Sequence, residues 1–210
     1  MQQHDLPIKD AIIIRQDGTR YLGSDESSGW IWKSARVLAS HLLSTLDVRN
    51  MRMLELGSGT GWLALTLAQE GAIVTATERP GALPLLTRNV YGHLDRMSEK
   101  SNDFVPVEVE QCRWEDGTIV PGGDFDIIIG SDLLYIIESY LPLINTLILH
   151  KCKRFVLTWE QRIPEEEASF LVLATASGFT FDPPQQIAIN EVTGNVIWYL
   201  DMKHEPFDSQ

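Results

Sequence analysis

The sequence has few basic residues. Its 210 residues contain 17 Lys and Arg against 29 Asp and Glu, which gives a net charge of −12. To bind duplex nucleic acid, such a chain would have to build a basic face against its own electrostatic field. The charge therefore argues against a nucleic acid partner and favours a basic protein as substrate.

Cysteines and long apolar runs are also scarce. Cys112 and Cys152 are the two cysteines, and they form no CxxC pair. The five histidines lack the spacing of metal ligands, so we expect no metal site. No run approaches the roughly 20 apolar residues that span a bilayer, and residues 1–5 do not resemble a signal peptide. These absences predict a reduced, cytoplasmic protein that does not enter membranes, with the nucleus as a second location. Nothing indicates the oligomeric state.

The composition, 44% hydrophobic and 22% charged, is typical of one globular domain. We predict a single domain over residues 1–210, with an N-terminal extension at 1–28 and a catalytic core at 29–210. Within the extension, Asp17-Gly18 between two β-prone segments, 11–15 and 19–22, predicts a small hairpin.

Strand and helix patterns alternate along the core. Strands are predicted at residues 53–56, 72–77, 104–109, 125–130 and 154–159. Helices are predicted at residues 30–46, 61–70, 82–94, 136–149 and 165–177. Segments 187–190 and 196–201 flank Thr193-Gly194-Asn195 and predict a closing hairpin. The fold class is therefore α/β, a doubly wound, seven-stranded, mainly parallel sheet with a C-terminal antiparallel hairpin. The acidic run 165–167 is expected to be a solvated first helical turn.

A glycine-rich loop follows the first core strand. It reads Glu55-Leu56-Gly57-Ser58-Gly59-Thr60-Gly61, with Glu78 at the end of the next strand. A dinucleotide fingerprint needs glycine at the sixth position from Gly57, where Trp62 stands. The spacing instead resembles the S-adenosylmethionine motif of seven-β-strand methyltransferases, in which Glu78 would bind the ribose hydroxyls. The alternative is an ordinary tight strand–helix turn followed by a surface acid.

Four further segments resemble the family 16 protein-lysine methyltransferases, a cytosolic and nuclear group. They are Gly29 to Ala35, Arg113-Trp114-Glu115, Phe125 to Tyr135 with its Asp-x-x-Tyr pattern, and Thr158 to Arg162. The resemblance implies a Rossmann-like class I methyltransferase fold, S-adenosylmethionine as cofactor and S-adenosylhomocysteine as product. It implies a cofactor site made of Trp32, Glu55, Gly57, Ser58, Gly59, Gly61, Glu78, Trp114 and Ser131. One departure is Glu78, because the family more often has aspartate there.

The resemblance also implies two catalytic residues, Asp132 and Tyr135. A lysine amine attacks a methyl group only when neutral, so Asp132 would attract and orient the incoming ammonium, while Tyr135 would shape the channel and bind the amine. From the residues alone, Asp132 could equally cap a helix, and Tyr135, Trp30 and Trp32 could simply pack.

The expected function is protein-lysine N-methylation of a basic protein such as a translation elongation factor or a chaperone. Enzymes that methylate bases typically place two prolines before the tyrosine, where this chain has Leu133-Leu134. The alternatives are a methyltransferase for another acceptor (arginine, a small molecule or RNA) and a non-catalytic methyltransferase-like interaction module.

Overall fold

The computed structural model describes residues 29–98 and 106–204. The predicted N-terminal hairpin at 11–22 lies outside the described residues, as does the start of the strand predicted at 104–109. In the described part of the chain, no helix is long and apolar enough to cross a membrane.

One mixed sheet forms the centre of the molecule. Its strands are β1 (Arg52–Leu56), β2 (Ile73–Glu78), β3 (Glu108–Gln111), β4 (Ile127–Ser131), β5 (Arg154–Glu160), β6 (Phe179–Phe181), β7 (Gln185–Ile189) and β8 (Val196–His204). The order is β3-β2-β1-β4-β5-β8-β6, with β7 also paired to β8. The first five strands are parallel, and β8 runs antiparallel to β5. This is the predicted doubly wound, mainly parallel sheet with its closing antiparallel hairpin.

The outer edge of β8 carries two short strands in succession. β6 pairs with the end of β8, up to His204, while β7 pairs with its beginning, from Val196. Pro183 and Pro184 lie between them, and proline cannot donate a ladder hydrogen bond. The eight strands therefore occupy seven positions across the sheet, as predicted, because β6 and β7 share the last position and the prolines separate them. The sequence pattern did not predict β6.

Helices cover both faces of the sheet. They are α1 (Lys33–Thr45), α2 (Trp62–Gln69), α3 (Leu83–Ser98), α4 (Tyr140–Leu149) and α5 (Pro164–Ala176). Ile127 and Ile129 pack in the core beneath α1 to α3, while Ile128 packs beneath α4 and α5. Successive side chains of a strand point to opposite faces, so this unbroken isoleucine run fills both cores, as the sequence predicted.

Several predicted boundaries were wrong, including the ends of α3 and β8, and two starts differ by four residues. The helix expected from residue 136 begins at Tyr140, because Ile136 is extended and a 3₁₀ turn at Ile137–Ser139 comes first. The Ser139 hydroxyl donates to the Ile136 carbonyl at 2.6 Å, which stabilises that turn. The third strand begins at Glu108, four residues later than predicted.

Glu167 corrects the expectation of a solvated acidic turn at 165–167. Its side chain is buried. Oε1 accepts hydrogen bonds from the backbone N–H groups of Arg162 (2.6 Å) and Ile163 (3.2 Å), and Oε2 accepts from the Trp159 indole (3.0 Å). The carboxylate thus satisfies backbone donors just before α5 and joins that helix to the end of β5.

The two-faced core predicts a contrast between two isoleucines. Ile128→Ala removes fully buried methylene and methyl groups, and we expect it to lower the free energy of unfolding by about 2–5 kcal/mol. Ile119 is 64% exposed, so Ile119→Ala should change that free energy by less than about 0.5 kcal/mol. Urea unfolding measures both, and equal losses would contradict the described burial.

Candidate active site

A cavity of about 420 Å³ opens at the carboxyl ends of β1, β2, β4 and β5. β1 lies between β2 and β4, and the chain leaves β1 toward α2 on one face but leaves β4 toward α4 on the other. This divergence opens a crevice, the usual ligand site in doubly wound sheets.

Ten of the eleven predicted site residues line the cavity. They are Trp32, Glu55, Gly57, Ser58, Gly59, Glu78, Trp114, Ser131, Asp132 and Tyr135. Gly61 does not line it. Gly61 instead forms the N-cap of α2 with a positive φ of 81°, and a Cβ there would meet Leu86 Cδ1 at 2.8 Å, so its role is in the turn and in helix packing.

The glycine loop is held against β2 and kept bare of side chains. The Ser58 backbone N–H donates to the Thr77 carbonyl (2.8 Å), and the Thr77 N–H donates to the Ser58 hydroxyl (3.0 Å). Gly57 has a φ of +63°, and a Cβ at this position would lie 2.7 Å from Leu133 Cδ2. Only glycine therefore leaves this part of the cavity floor open.

Glu78 ends β2 beside the loop, with its carboxylate buried. Oε2 accepts from the Gly59 backbone N–H (3.4 Å), and Oε1 accepts from the Arg79 N–H (3.3 Å) and lies 3.8 Å from Arg79 Nε. The alternative of an ordinary surface acid is therefore wrong, since only 6% of the residue is exposed. A carboxylate here can accept hydrogen bonds from a ligand's hydroxyl groups.

Glu55 supplies a second acid to the same wall. It is buried, and within the described residues its Oε2 makes no hydrogen bond. Burial raises the pKa of Glu55 to about 8, with a smaller contribution from the neighbouring Glu78 charge. An unpartnered buried oxygen facing a cavity suits a ligand that brings a donor or a positive charge.

Aromatic side chains also line the cavity. Trp32 is 37% exposed, and Trp32 and Trp114 both line the cavity. Trp30 and Trp62 line it as well, although the sequence analysis did not include them in the site. Flat indole faces can hold a planar ring or a cation.

Asp132 follows β4 in a left-handed conformation, with φ at +59°. Its Oδ2 accepts from the Ser34 hydroxyl (3.0 Å), while Oδ1 accepts from the Glu160 backbone N–H (3.2 Å) and from Arg162 Nη1 (2.7 Å). The helix-cap alternative is wrong, because α4 begins at Tyr140 and its N-cap is Ser139. These contacts instead fix the carboxylate at the cavity wall.

Arg162 is a further cavity residue that was not predicted as part of the site. Its guanidinium pairs with Asp132 and lies over the Trp32 ring, with Cζ 5.4 Å from the ring centroid. Burial opposes its charge, but the hydrogen bond and charge of Asp132, with Glu160 and Glu167 nearby, outweigh it and raise the pKa of Arg162. Arg162 falls in the segment that carried the family resemblance, but its charge alone did not indicate a role in the site.

Glu160 anchors the β7–β8 turn beside this cluster. Its buried carboxylate accepts from Asn190 Nδ2 (2.7 Å), the Thr193 hydroxyl (2.6 Å) and Asn195 Nδ2 (3.1 Å). Burial acts to raise the pKa of Glu160, but these three hydrogen bonds lower it overall. The turn of the C-terminal hairpin is thereby fixed next to the cavity.

Comparisons with known proteins agree with this architecture. A family model described as lysine methyltransferase matches residues 9–176. The protein N-lysine methyltransferase METTL21A of Danio rerio is 31% identical over 158 residues, 67% of this chain and 70% of that protein. METTL21A of Mus musculus is 31% identical over 186 residues, 85% of this chain and 81% of that protein. The EEF1A lysine methyltransferase 3 of Mus musculus is 28% identical over 123 residues, 58% of this chain and 50% of that protein.

Solved structures share the fold at low sequence identity. The magnesium protoporphyrin IX methyltransferase of Synechocystis with bound S-adenosylmethionine matches with a TM-score of 0.59 and 15% identity, over 82% of this chain and 79% of that one. An S-adenosylmethionine-dependent methyltransferase of Aquifex aeolicus matches with a TM-score of 0.58 and 15% identity, over 81% of this chain and 93% of that one. Both confirm the class I methyltransferase fold.

The buried acid Glu55 predicts a pH dependence of stability. Glutamate has an ordinary pKa of about 4.3, whereas the pKa of Glu55 in the folded protein is about 8. At a pH between these two values, the folded protein keeps the proton on Glu55 and the unfolded chain loses it. The contribution of Glu55 to the free energy of unfolding therefore falls as pH rises through this range, by at most about 1.4 kcal/mol per pH unit, and stays constant above it. Glu55→Gln should therefore gain stability relative to the wild type from pH 5 to 8. Urea unfolding along a pH series tests this, and parallel curves would contradict it.

The bare loop predicts a difference between two glycines of positive φ. Gly57→Ala and Gly123→Ala should each lose about 1 kcal/mol of stability from backbone strain. A Cβ at Gly123 meets nothing within 4 Å, whereas a Cβ at Gly57 pushes Leu133. We expect Gly57→Ala alone to weaken S-adenosylhomocysteine binding, by about tenfold or more in isothermal titration. Equal binding by both variants would show that this part of the floor does not contact the ligand.

Proposed function

The chain belongs to the lysine methyltransferase family, and from this premise we propose that it methylates a lysine side chain of a basic protein, such as a translation elongation factor or a chaperone. The activity of the family is S-adenosylmethionine-dependent protein-lysine N-methylation. The observation that carries the proposal is one cavity that joins a cofactor wall, with Glu55 and Glu78, to an acceptor wall, with Asp132 and Tyr135.

The residues present fit the cofactor. We assign the ribose hydroxyls to the Glu78 carboxylate, the cationic amino group to the unpartnered oxygen of Glu55, and the planar base to the indole of Trp114. Gly57 and Gly59 both line the cavity and carry no side chain, which permits close approach of a ligand to the backbone. When bound, S-adenosylmethionine supplies an electrophilic methyl group, and as the new N–C bond forms, the C–S bond breaks and its electron pair stays on sulfur.

The acceptor side positions the lysine amine. A carboxylate offers about four acceptor sites. Asp132 already uses three of them, for Ser34, Glu160 and Arg162, and so one remains for an amine N–H. Tyr135, 42% exposed at the cavity wall, can hydrogen-bond the same amine. Alignment of the amine with the methyl group is the main demand of an in-line displacement.

Three observations support a basic protein as substrate. The net charge of −12 attracts a cationic partner. One relative carries the name EEF1A lysine methyltransferase, which indicates a translation factor as that protein's substrate. Leu133 and Leu134 stand where base-methylating enzymes typically have prolines, which disfavours RNA. The acceptor is therefore expected among basic proteins of the cytoplasm or, second, of the nucleus.

A labelling experiment tests the substrate class. Purified protein is incubated with methyl-labelled S-adenosylmethionine and an extract of cells that lack this gene, so that the target is unmethylated. We expect one labelled protein band on a denaturing gel, with the label on lysine Nζ by mass spectrometry. Label on arginine, in RNA or in a small molecule would contradict the proposal. An extract in which nothing is labelled would also contradict it, provided that the purified protein binds the cofactor normally.

Asp132→Asn separates the acceptor side from the cofactor side. The variant keeps the shape of the side chain but replaces one acceptor oxygen with an NH2 donor, so the site loses an acceptor for the amine N–H, and we expect the labelling rate to fall by about 100-fold or more. S-adenosylhomocysteine affinity should change by less than about threefold, because the predicted cofactor contacts of Glu55 and Glu78 are intact. An equal loss of rate and affinity would place Asp132 in cofactor binding instead.

A further inference from the structure

We propose that Arg162 neutralises Asp132 and keeps the acceptor lysine uncharged, so that the site holds a reactive amine instead of trapping an ammonium. The proposal rests on the function proposed above. It also revises the expectation from sequence that Asp132 attracts the charged ammonium. Arg162 is thus a charge-compensating and positioning residue of the acceptor site.

The geometry shows that one guanidinium contacts both a carboxylate and an aromatic face of the cavity. A carboxylate and an aromatic face are the two common protein partners of a lysine cation. Here Arg162 Nη1 lies 2.7 Å from Asp132 Oδ1, and the same guanidinium lies over the Trp32 ring. An incoming ammonium therefore meets a carboxylate that is already paired.

The arginine is held in this place by its surroundings. Its Nη1 also donates to the Glu160 carbonyl at 3.2 Å, and its backbone N–H donates to the buried Glu167 carboxylate at 2.6 Å. Because an arginine stays charged at any working pH, Arg162 compensates the Asp132 charge independently of pH. The side chain is about one-third exposed, at 34%, and lines the cavity.

The charge matters because the lysine must lose its proton to solvent before its nitrogen can form the N–C bond. An ordinary lysine has a pKa of about 10.4, so little of it is neutral near pH 7.5. An unpaired carboxylate would favour the ammonium and raise that pKa further, whereas a nearby cation lowers it. The Arg162–Asp132 pair leaves a hydrogen-bond acceptor without a net negative charge.

Other charged or titratable groups also face the cavity, on both the cofactor and the acceptor sides. They are Glu55, Glu78, Arg79, Cys112, Arg113, Glu115 and Tyr135. Glu78 is paired with Arg79, and Arg113 with Glu115. Burial raises the pKa of Cys112 to about 11, and the raised pKa of Glu55 means that this acid binds a proton near neutral pH. Glu160 and Glu167 also act on Arg162, but they do not line the cavity. Of the charged groups that line its acceptor end, Asp132 and Arg162 are paired with each other.

The test is the pH profile of methyl transfer into the protein band labelled in the cell extract, from pH 6.5 to 9.5. Arg162→Gln removes the charge, and Arg162→Met removes it while keeping an apolar stem over Trp32. In both variants we expect the rising limb of the pH profile to shift to higher pH by about one unit. The variant rate is then about one tenth of the wild-type rate on that limb and approaches it at the highest pH.

Two control variants leave a cation at position 162. Arg162→Lys should retain the wild-type shape of the profile. Arg36 also stacks on an indole, with Cζ 5.0 Å from the Trp62 ring centroid, but it does not line the cavity, so Arg36→Gln should retain that shape too. Thermal unfolding and S-adenosylhomocysteine titration establish which variants are folded, and Arg162→Met stands in if Arg162→Gln is not.

Different results would overturn the proposed function and the proposed role of Arg162. If the wild type labels no protein at any pH, the proposed function is overturned, and this inference with it. If the wild type labels its protein but the folded uncharged variants are slowed by the same factor at every pH, Arg162 only supports the structure and the inference alone is overturned. A profile of Arg162→Lys that matches Arg162→Gln would overturn it as well.

Discussion

The structure depends on one constraint of the sheet, the parallel pairing of β1 with both β2 and β4 while the chain leaves β1 and β4 toward opposite faces. The crevice between the two departing segments cannot be filled by either of them. The glycine loop enters it from β1, Glu78 from β2 and Asp132 from β4. Glu55 and Asp132, 77 positions apart in the sequence, thereby share one cavity.

A second set of contacts connects that edge to the rest of the fold. The Asp132 backbone N–H donates to the Thr158 carbonyl at 2.7 Å, and the Thr158 hydroxyl donates to the Ser34 carbonyl at 3.2 Å. With the side-chain bonds of Asp132, these contacts join β4, β5 and the start of α1. The left-handed backbone at Asp132 is strained for a residue other than glycine, and the surrounding hydrogen bonds hold it. These contacts fix the position of the Asp132 carboxylate at the cavity wall.

Periodicity and motif spacing predicted much of the fold, and the errors come from individual side-chain contacts that neither of them encodes. The isoleucine run of β4 and the spacing from Gly57 to Glu78 are short local patterns, so the sheet and the glycine loop were predictable, while the family resemblance pointed to the other cavity residues. The burial of Glu167 was not predictable, because no pattern in the sequence marks its partners, two backbone N–H groups and an indole four to eight residues away. The pairing of Arg162 with Asp132 spans 30 residues and had no sequence signal of its own.

The most direct test of the account is a crystal structure of the protein with S-adenosylhomocysteine and a lysine-containing peptide from its labelled target. We expect the ribose hydroxyls on Glu78, and the lysine Nζ beside Asp132 and Tyr135 and in line with the thioether sulfur. The Arg162–Asp132 ion pair should persist in that complex. A ligand bound outside the crevice, or an ammonium that displaces Arg162 from Asp132, would contradict the account.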